Sequence, residues 1–197
     1  MEPDISGPPR LVFLIGPPAA GKMTIGLELA RLTGLRLLHN HMTIDLVLPF
    51  FEFKTEPFQR LVDSFRDQLV EEVAVSDLPG LLFTYVWAFD RPEELTAVER
   101  YARPFRERGD AVAFVELSAP QEERLRRNRT PLRLEHKPFK RDLEWSDANL
   151  LDLDANHVLT APADVRARPD WLHVDTTAQS PPESAALIAA PLGLPLV

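Results

Sequence analysis

The chain has no cysteine, so neither a disulfide nor a thiolate metal site is open to it. It has no apolar run near the roughly 20 residues that a membrane-spanning helix needs. Residues 1–10 lack the basic start and apolar centre of a signal peptide, so cytoplasmic residence without a membrane partner is the expectation. Positive charge is in deficit: 22 Lys and Arg stand against 30 Asp and Glu, a formal net charge of −8. That balance argues against general affinity for nucleic acid. No internal repeat is found, and the 19 prolines form no low-complexity tract. What remains is a globular composition, 45% hydrophobic and 26% charged over 197 residues. Such a chain is long enough for one α/β domain and too short for two ordinary ones.

The most informative stretch is residues 11–26. Leu11 to Ile15 is wholly apolar and ends at a Gly-Pro turn, the pattern of a strand buried on both faces. Gly16 opens a G-x-x-x-x-G-K string, Gly16-Pro17-Pro18-Ala19-Ala20-Gly21-Lys22, followed by Met23 and Thr24. Beyond Lys22, Ile25, Leu29 and Leu32 recur at helical spacing until Gly34 stops them. Strand, glycine-bounded loop and helix in this order bind polyphosphate. The loop aims backbone N–H groups inward, the helix adds its positive dipole end, and Lys22 adds a point charge. One position departs from the general pattern. Ser or Thr after the lysine would hold Mg²⁺ through a hydroxyl, but Met23 stands there, and a thioether is a poor ligand for a hard cation.

Residues 1–10 read as a flexible lead-in, and residues 11–197 as the domain. Leu35 to His39 is a candidate second strand that runs into His39-Asn40-His41. If the chain stays extended there, His39 and His41 share a face. They are candidates for substrate contact, base or metal ligand, or are simple loop and cap residues. Asp45, on a short helix from Thr43 to Leu48, is either a general base or an N-terminal-turn carboxylate. Phe50, Phe51 and Phe53 fill a connection, where they line a substrate pocket or, more simply, plug the core. Phe58 to Val75 is an amphipathic helix whose Asp63, Arg66 and Asp67 are expected on its wet face, although Arg60 or Arg66 could reach an acceptor anion.

A third strand, from Leu81, ends near Asp90-Arg91. Asp90 is a candidate to orient hydrated Mg²⁺, to form a capping box with Glu93, or to do both, at the start of a helix reaching Arg108 with a kink at Pro104. Ala111 to Leu117 is strand four. Between Arg124 and Arg141 lie eight cations against the single acid Glu135, a reversal of the average charge that suggests a small-anion site. Residues 129–141 read as a short basic lid carrying Arg133, Lys137, Lys140 and Arg141, or as a solvated loop. A helix over Asp142 to Ala155, an irregular stretch to Asp170, a fifth strand from Trp171 to Thr177 and a closing helix from Pro182 to Ala190 complete the chain.

The string Gly16-Pro17-Pro18-Ala19-Ala20-Gly21-Lys22-Met23-Thr24 resembles the loop of adenylate-kinase-type enzymes, which also lack the hydroxyl after the lysine and keep Thr next. Element order from residue 11 to about 190 is similar to the P-loop kinase group that includes adenylate, shikimate and gluconate kinases. Outside residues 16–24 the likeness is general. The second strand departs from it, with histidines where such kinases place carboxylates.

The resemblance implies a doubly wound three-layer α/β fold with a five-stranded parallel sheet in order 2-3-1-4-5. It implies transfer of the ATP γ-phosphate to a small-molecule acceptor. Gly16, Pro17, Ala19, Ala20, Gly21, Lys22, Met23 and Thr24 would hold the phosphates. Arg124 would pack on the adenine, and Arg127 and Arg129 would face the phosphates, with the lid closing over them. Asp45 or His41 would take the hydroxyl proton. Mg²⁺ would be held through water and phosphate, with Thr24 and Asp90 nearest. Residues 42–76 would form the acceptor side, and the loop after strand five would edge the adenine pocket. The alternatives are a nucleotide-binding switch or slow ATPase without acceptor, and a kinase of nucleotides or nucleic-acid ends. The protein would act as monomer or homodimer.

Overall fold

Strand β1, Leu11–Ile15, is buried at every residue because it lies at the centre of a five-stranded sheet. The computed structural model describes residues 8–130 and 143–197. The other strands are β2 (Arg36–His39), β3 (Leu81–Tyr85), β4 (Val112–Ser118) and β5 (Trp171–Asp175). Their order is β2-β3-β1-β4-β5, with every pairing parallel, as expected. The helices are α1 (Lys22–Thr33), α2 (His41–Val47), α3 (Glu56–Val75), α4 (Pro92–Glu107), α5 (Gln121–Asn128), α6 (Leu143–Asn156), α7 (Ala163–Arg166) and α8 (Pro181–Ala189).

The two faces of β1 feed two cores. Leu11, Phe13 and Ile15 pack with α3 and α4 through Val70, Val73, Val98 and Phe105. Val12 and Leu14 pack with α1 and α8 through Ile25, Leu29 and Ile188. Each such side chain contributes about 2 kcal/mol by burial, so a polar residue anywhere in β1 would be costly. Rings continue the first core across the strands. Phe13 stacks on Phe114 at 5.1 Å, and Phe114 on Trp171 at 5.5 Å.

Register sets where function can sit. Ile15 is level with Tyr85 of β3 and Glu116 of β4, so the loops leaving these strands emerge on one edge. In open parallel sheets that carboxyl edge, where the winding reverses, is the ligand crevice.

Several expectations need correction. Arg10 is tied down, not part of a loose lead-in: its guanidinium donates to the Ser76 and Leu78 carbonyls at 3.1 and 2.8 Å and pairs with Asp110. Residues 1–7 lie outside the described residues. Helix α2 starts at His41, two residues earlier than expected, so His39 and His41 do not share an extended face. Helix α4, by contrast, runs from Pro92 to Glu107 with Pro104 inside it, within one residue of expectation. The supposedly irregular stretch before β5 contains α7. Among the described residues, no helix is long and apolar enough to cross a membrane.

Candidate functional site

The loop between β1 and α1 is shaped by its backbone. Gly16 has φ 138°, and a Cβ there would lie 2.2 Å from the Leu117 carbonyl oxygen, so the chain passes too close to β4 for any side chain. Gly21 has φ 99° and is the N-cap of α1. Ala19 also has a positive φ, 63°, which costs a non-glycine residue about 1 kcal/mol. Helix α1 starts with no side-chain cap and no acid in its first turn, which leaves its N–H groups and dipole to the loop. Lys22 is buried, and its Nζ donates to the Gly16 and Pro17 carbonyls at 2.6 and 2.7 Å. Thr24 donates its hydroxyl to the Gly21 carbonyl at 3.0 Å.

A cavity of about 670 Å³ opens over this loop. Gly21, Lys22, Met23 and Thr24 form its floor, and Asn40 and His41 its β2 side. Opposite lie Arg126 and Arg127 of α5 and the β5 exit, residues 176–181. Helix α6 contributes Trp145, Asn149 and Leu153, four residues apart and therefore on one stripe. The β5 exit had been expected at this edge. Trp145, Asn149, Glu123, Arg126 and Lys54 had not. Phe53 lines both cavities, the pocket alternative for that connection, and Phe50, Phe51 and Phe53 are all exposed and plug no core. The i, i+4, i+8 spacing on α6 was the available signal, but it reads equally as a core stripe.

Arg127 holds the cavity wall together. It donates to Glu123 at 2.7 Å, to Thr176 Oγ1 at 2.9 Å and to the Thr176 carbonyl at 2.7 Å. Hydrogen bonds from Arg126 and then Arg127 pull the Glu123 carboxyl down to about 2. Arg124, expected against a base, is instead buried under α6. It meets Asp154 with both terminal nitrogens, at 3.1 and 2.5 Å, and donates to the Ala119 carbonyl. It does not line the cavity. Arg129 is likewise diverted, to Asp147 at 2.7 Å. These pairs, with Asn128 on Ser146, bolt α6 to α5. Of the expected lid, residues 131–141 with Arg133, Lys137, Lys140 and Arg141 lie outside the described residues.

Asp90 neither caps α4 nor lines the cavity. The N-cap is Arg91, with no side-chain cap bond. Asp90 instead accepts from His157 Nδ1 at 3.1 Å and from the Val158 N–H at 2.8 Å, and these bonds hold its carboxyl below the usual range. His41 is buried and lines the cavity, with Nδ1 4.0 Å from the Asp45 carboxylate one turn on. Asp45 itself is not in the lining.

A second cavity, about 510 Å³, abuts the first and shares Asn40, Ile44, Phe53 and Val86 with it. It lies between α3 and α4, over Tyr85 at the end of β3. Arg66, expected on the wet face of α3, is buried in its wall.

No family model matches the sequence, and no curated protein does. Solved structures do. A sugar kinase from Janibacter sp. HTCC2649 is 16% identical with a TM-score of 0.55, covering 95% of this chain and 96% of that one. Shikimate kinase from Acinetobacter baumannii, solved with shikimate, is 17% identical with a TM-score of 0.54, covering 96% and 95%. A gluconokinase from Sinorhizobium meliloti 1021 is 16% identical with a TM-score of 0.55, covering 94% and 92%. The fold is that of the P-loop small-molecule kinases. In a P-loop kinase fold the loop at residues 16–24 occupies the carboxyl edge of the central strand, and here the larger cavity opens directly above it.

Proposed function

We propose that the protein transfers the γ-phosphate of ATP to a hydroxyl of a small acceptor. The observation that carries this reading is the pair of abutting cavities. One sits on the glycine-bounded loop at the start of α1, and the other opens beside it at Asn40.

The loop suits a triphosphate. Its glycine cradle, the uncapped start of α1 and the Lys22 ammonium converge where anionic oxygens would lie. Mg²⁺ carried on the phosphates would supply charge neutralisation for the transfer. The protein offers it little directly. Met23 is no ligand, Thr24 keeps only its hydroxyl lone pairs, and no cluster of three metal-ligating side chains occurs among the described residues. The base end of the nucleotide fits between Arg126 and the 176–181 segment, with Trp145 on the wall.

In the reaction the acceptor oxygen forms a bond to the γ-phosphorus while the bond from that phosphorus to the β-bridging oxygen breaks, and ADP leaves. The hydroxyl proton passes to His41, which reaches the cavity where Asp45 does not. Asp45, 4.0 Å from His41 Nδ1, favours the resulting imidazolium. Lys22 meets the charge on the transferring group, and Arg127 keeps the wall in place. Phosphoryl transfer asks mainly for positioning and charge, which this inventory supplies.

Lys22→Ala tests the reading. ADP release in the presence of acceptor should fall by about 10²-fold or more, while circular dichroism and melting stay close to those of the parent protein. Undiminished turnover would refute the assignment of the phosphate seat. ADP release that never depends on an added acceptor would favour a nucleotide switch.

A further inference from the structure

We infer that the acceptor is a hydroxylated zwitterion, with an anionic group seated on Arg66 and a cationic group facing Asp63 and Glu94. This rests on the phosphotransfer reading above, because it assigns the second cavity to the acceptor.

Charge in the second cavity is unmatched. Arg66 is 8% exposed and lines the cavity. Its Nε donates to Thr43 Oγ1 at 3.0 Å and its Nη2 to the Asn40 carbonyl at 3.1 Å, both neutral acceptors. No carboxylate pairs with it among the described residues. A guanidinium withdrawn from water without a counter-ion is unfavourable, and an anion entering the cavity relieves that. Arginine offers a carboxylate a planar fork as well as a charge.

The other charges in the lining divide into matched and unmatched. Arg100 pairs with Asp67 at 2.9 Å, and Glu93 pairs with Arg91 at 2.5 Å. Among the described residues, Asp63 accepts hydrogen bonds only from the Gln59 amide, at 3.1 and 3.2 Å, and Glu94 only from the Tyr85 hydroxyl, at 2.5 Å, and neither makes a salt bridge. Among the described residues, the cavity therefore carries one cation and two anions that hydrogen-bond only to neutral groups and make no salt bridge. Gln59, Asp63 and Arg66 stand on one stripe of α3, and Glu94 faces them from α4. A simple acid would satisfy Arg66 but meet two carboxylates. A simple amine would leave Arg66 without an anion, and a neutral sugar would match neither. A zwitterion matches both. Its hydroxyl reaches the transferring phosphate across the wall shared at Asn40, beside His41 and Lys22.

The test uses matched triples with the full-length protein: L-homoserine, 4-hydroxybutyrate and 3-amino-1-propanol, and L-tyrosine, 3-(4-hydroxyphenyl)propionate and tyramine. Glucose serves as the neutral member. Titration calorimetry reads binding, and ADP release with ATP and Mg²⁺ reads turnover. The zwitterion of at least one triple should bind at least ten-fold more tightly than its acid and its amine. Arg66→Gln should weaken that binding at least ten-fold while ATP still binds, which shows that the variant is folded. Arg66→Lys should fall between the two. Asp63→Asn with Glu94→Gln should remove the preference for the zwitterion over the acid. Acids, amines or glucose binding as well as the zwitterions, or no zwitterion binding, overturns the inference. Arg66-dependent zwitterion binding without ADP release would sustain the inference and fail the phosphotransfer reading. Turnover of a plain acid or of glucose would do the reverse.

Discussion

Arg127 and Thr176 are joined twice, through the threonine hydroxyl and through its carbonyl. The same hydroxyl lies within hydrogen-bond reach of the Ala20 carbonyl at 3.1 Å and the Ser118 carbonyl at 3.0 Å. One buried side chain thus ties α5, the end of β4 and the β5 exit to the loop between β1 and α1. Thr176→Val keeps the shape and removes the hydroxyl, leaving buried groups unsatisfied. Stability should fall by about 1–3 kcal/mol in denaturant titration. The KM for ATP should rise more than kcat falls, because the loop and wall lose their alignment and the reacting groups are untouched.

The two strained positions of the loop should respond oppositely. Gly16→Ala places a Cβ against the Leu117 carbonyl at a positive φ, and should cost about 3 kcal/mol or more. Ala19→Gly relieves a left-handed alanine at φ 63°, offset by the freedom glycine gains in the unfolded chain, and should change stability by less than about 1 kcal/mol. Urea midpoints of the two variants check the contrast.

Tryptophan fluorescence should report the nucleotide. Of the three tryptophans, Trp87 and Trp171 are buried in the core, and only Trp145 lines the larger cavity. Titrating ATP should change the emission, and Trp145→Phe should remove that change while leaving the heat of ATP binding measurable. A signal that survives the substitution would place the nucleotide elsewhere.

Acid should loosen α5 from within. The Glu123 carboxyl sits at about 2 in the folded protein against an ordinary 4.5, held down by Arg126 and then Arg127. A depressed carboxylate stabilises the fold fully above its ordinary value, and that contribution disappears as pH falls towards its folded value. Melting temperature should therefore drop between pH 4.5 and pH 2. Glu123→Gln should lower it at neutral pH and flatten the curve across that window.

How legible the site was depended on how local each feature is. The two histidines illustrate the boundary. Their neighbourhood stood out in the sequence, yet His41 entered the cavity only because α2 begins two residues earlier than its pattern suggested. Asp90 read well as a cap because Glu93 follows it. The partner that claims it, the backbone at Val158, lies 68 residues away and leaves no local trace. Arg124 and Arg66 were misplaced for the same reason, since Asp154 is 30 residues from one and Thr43 is 23 from the other.

The sequence alone determined the glycine-bounded loop at residues 16–24 and the strand and helix on either side of it. These follow from side-chain periodicity and from backbone angles that only glycine adopts easily, and both act between neighbours in the chain. Tertiary structure decided which charges meet. An arginine becomes a brace, a cavity wall or an uncompensated cation according to what packing brings within about 4 Å of it. In this protein those partners come from other elements, and so Arg124, Arg127 and Arg66, alike as letters, take three different parts.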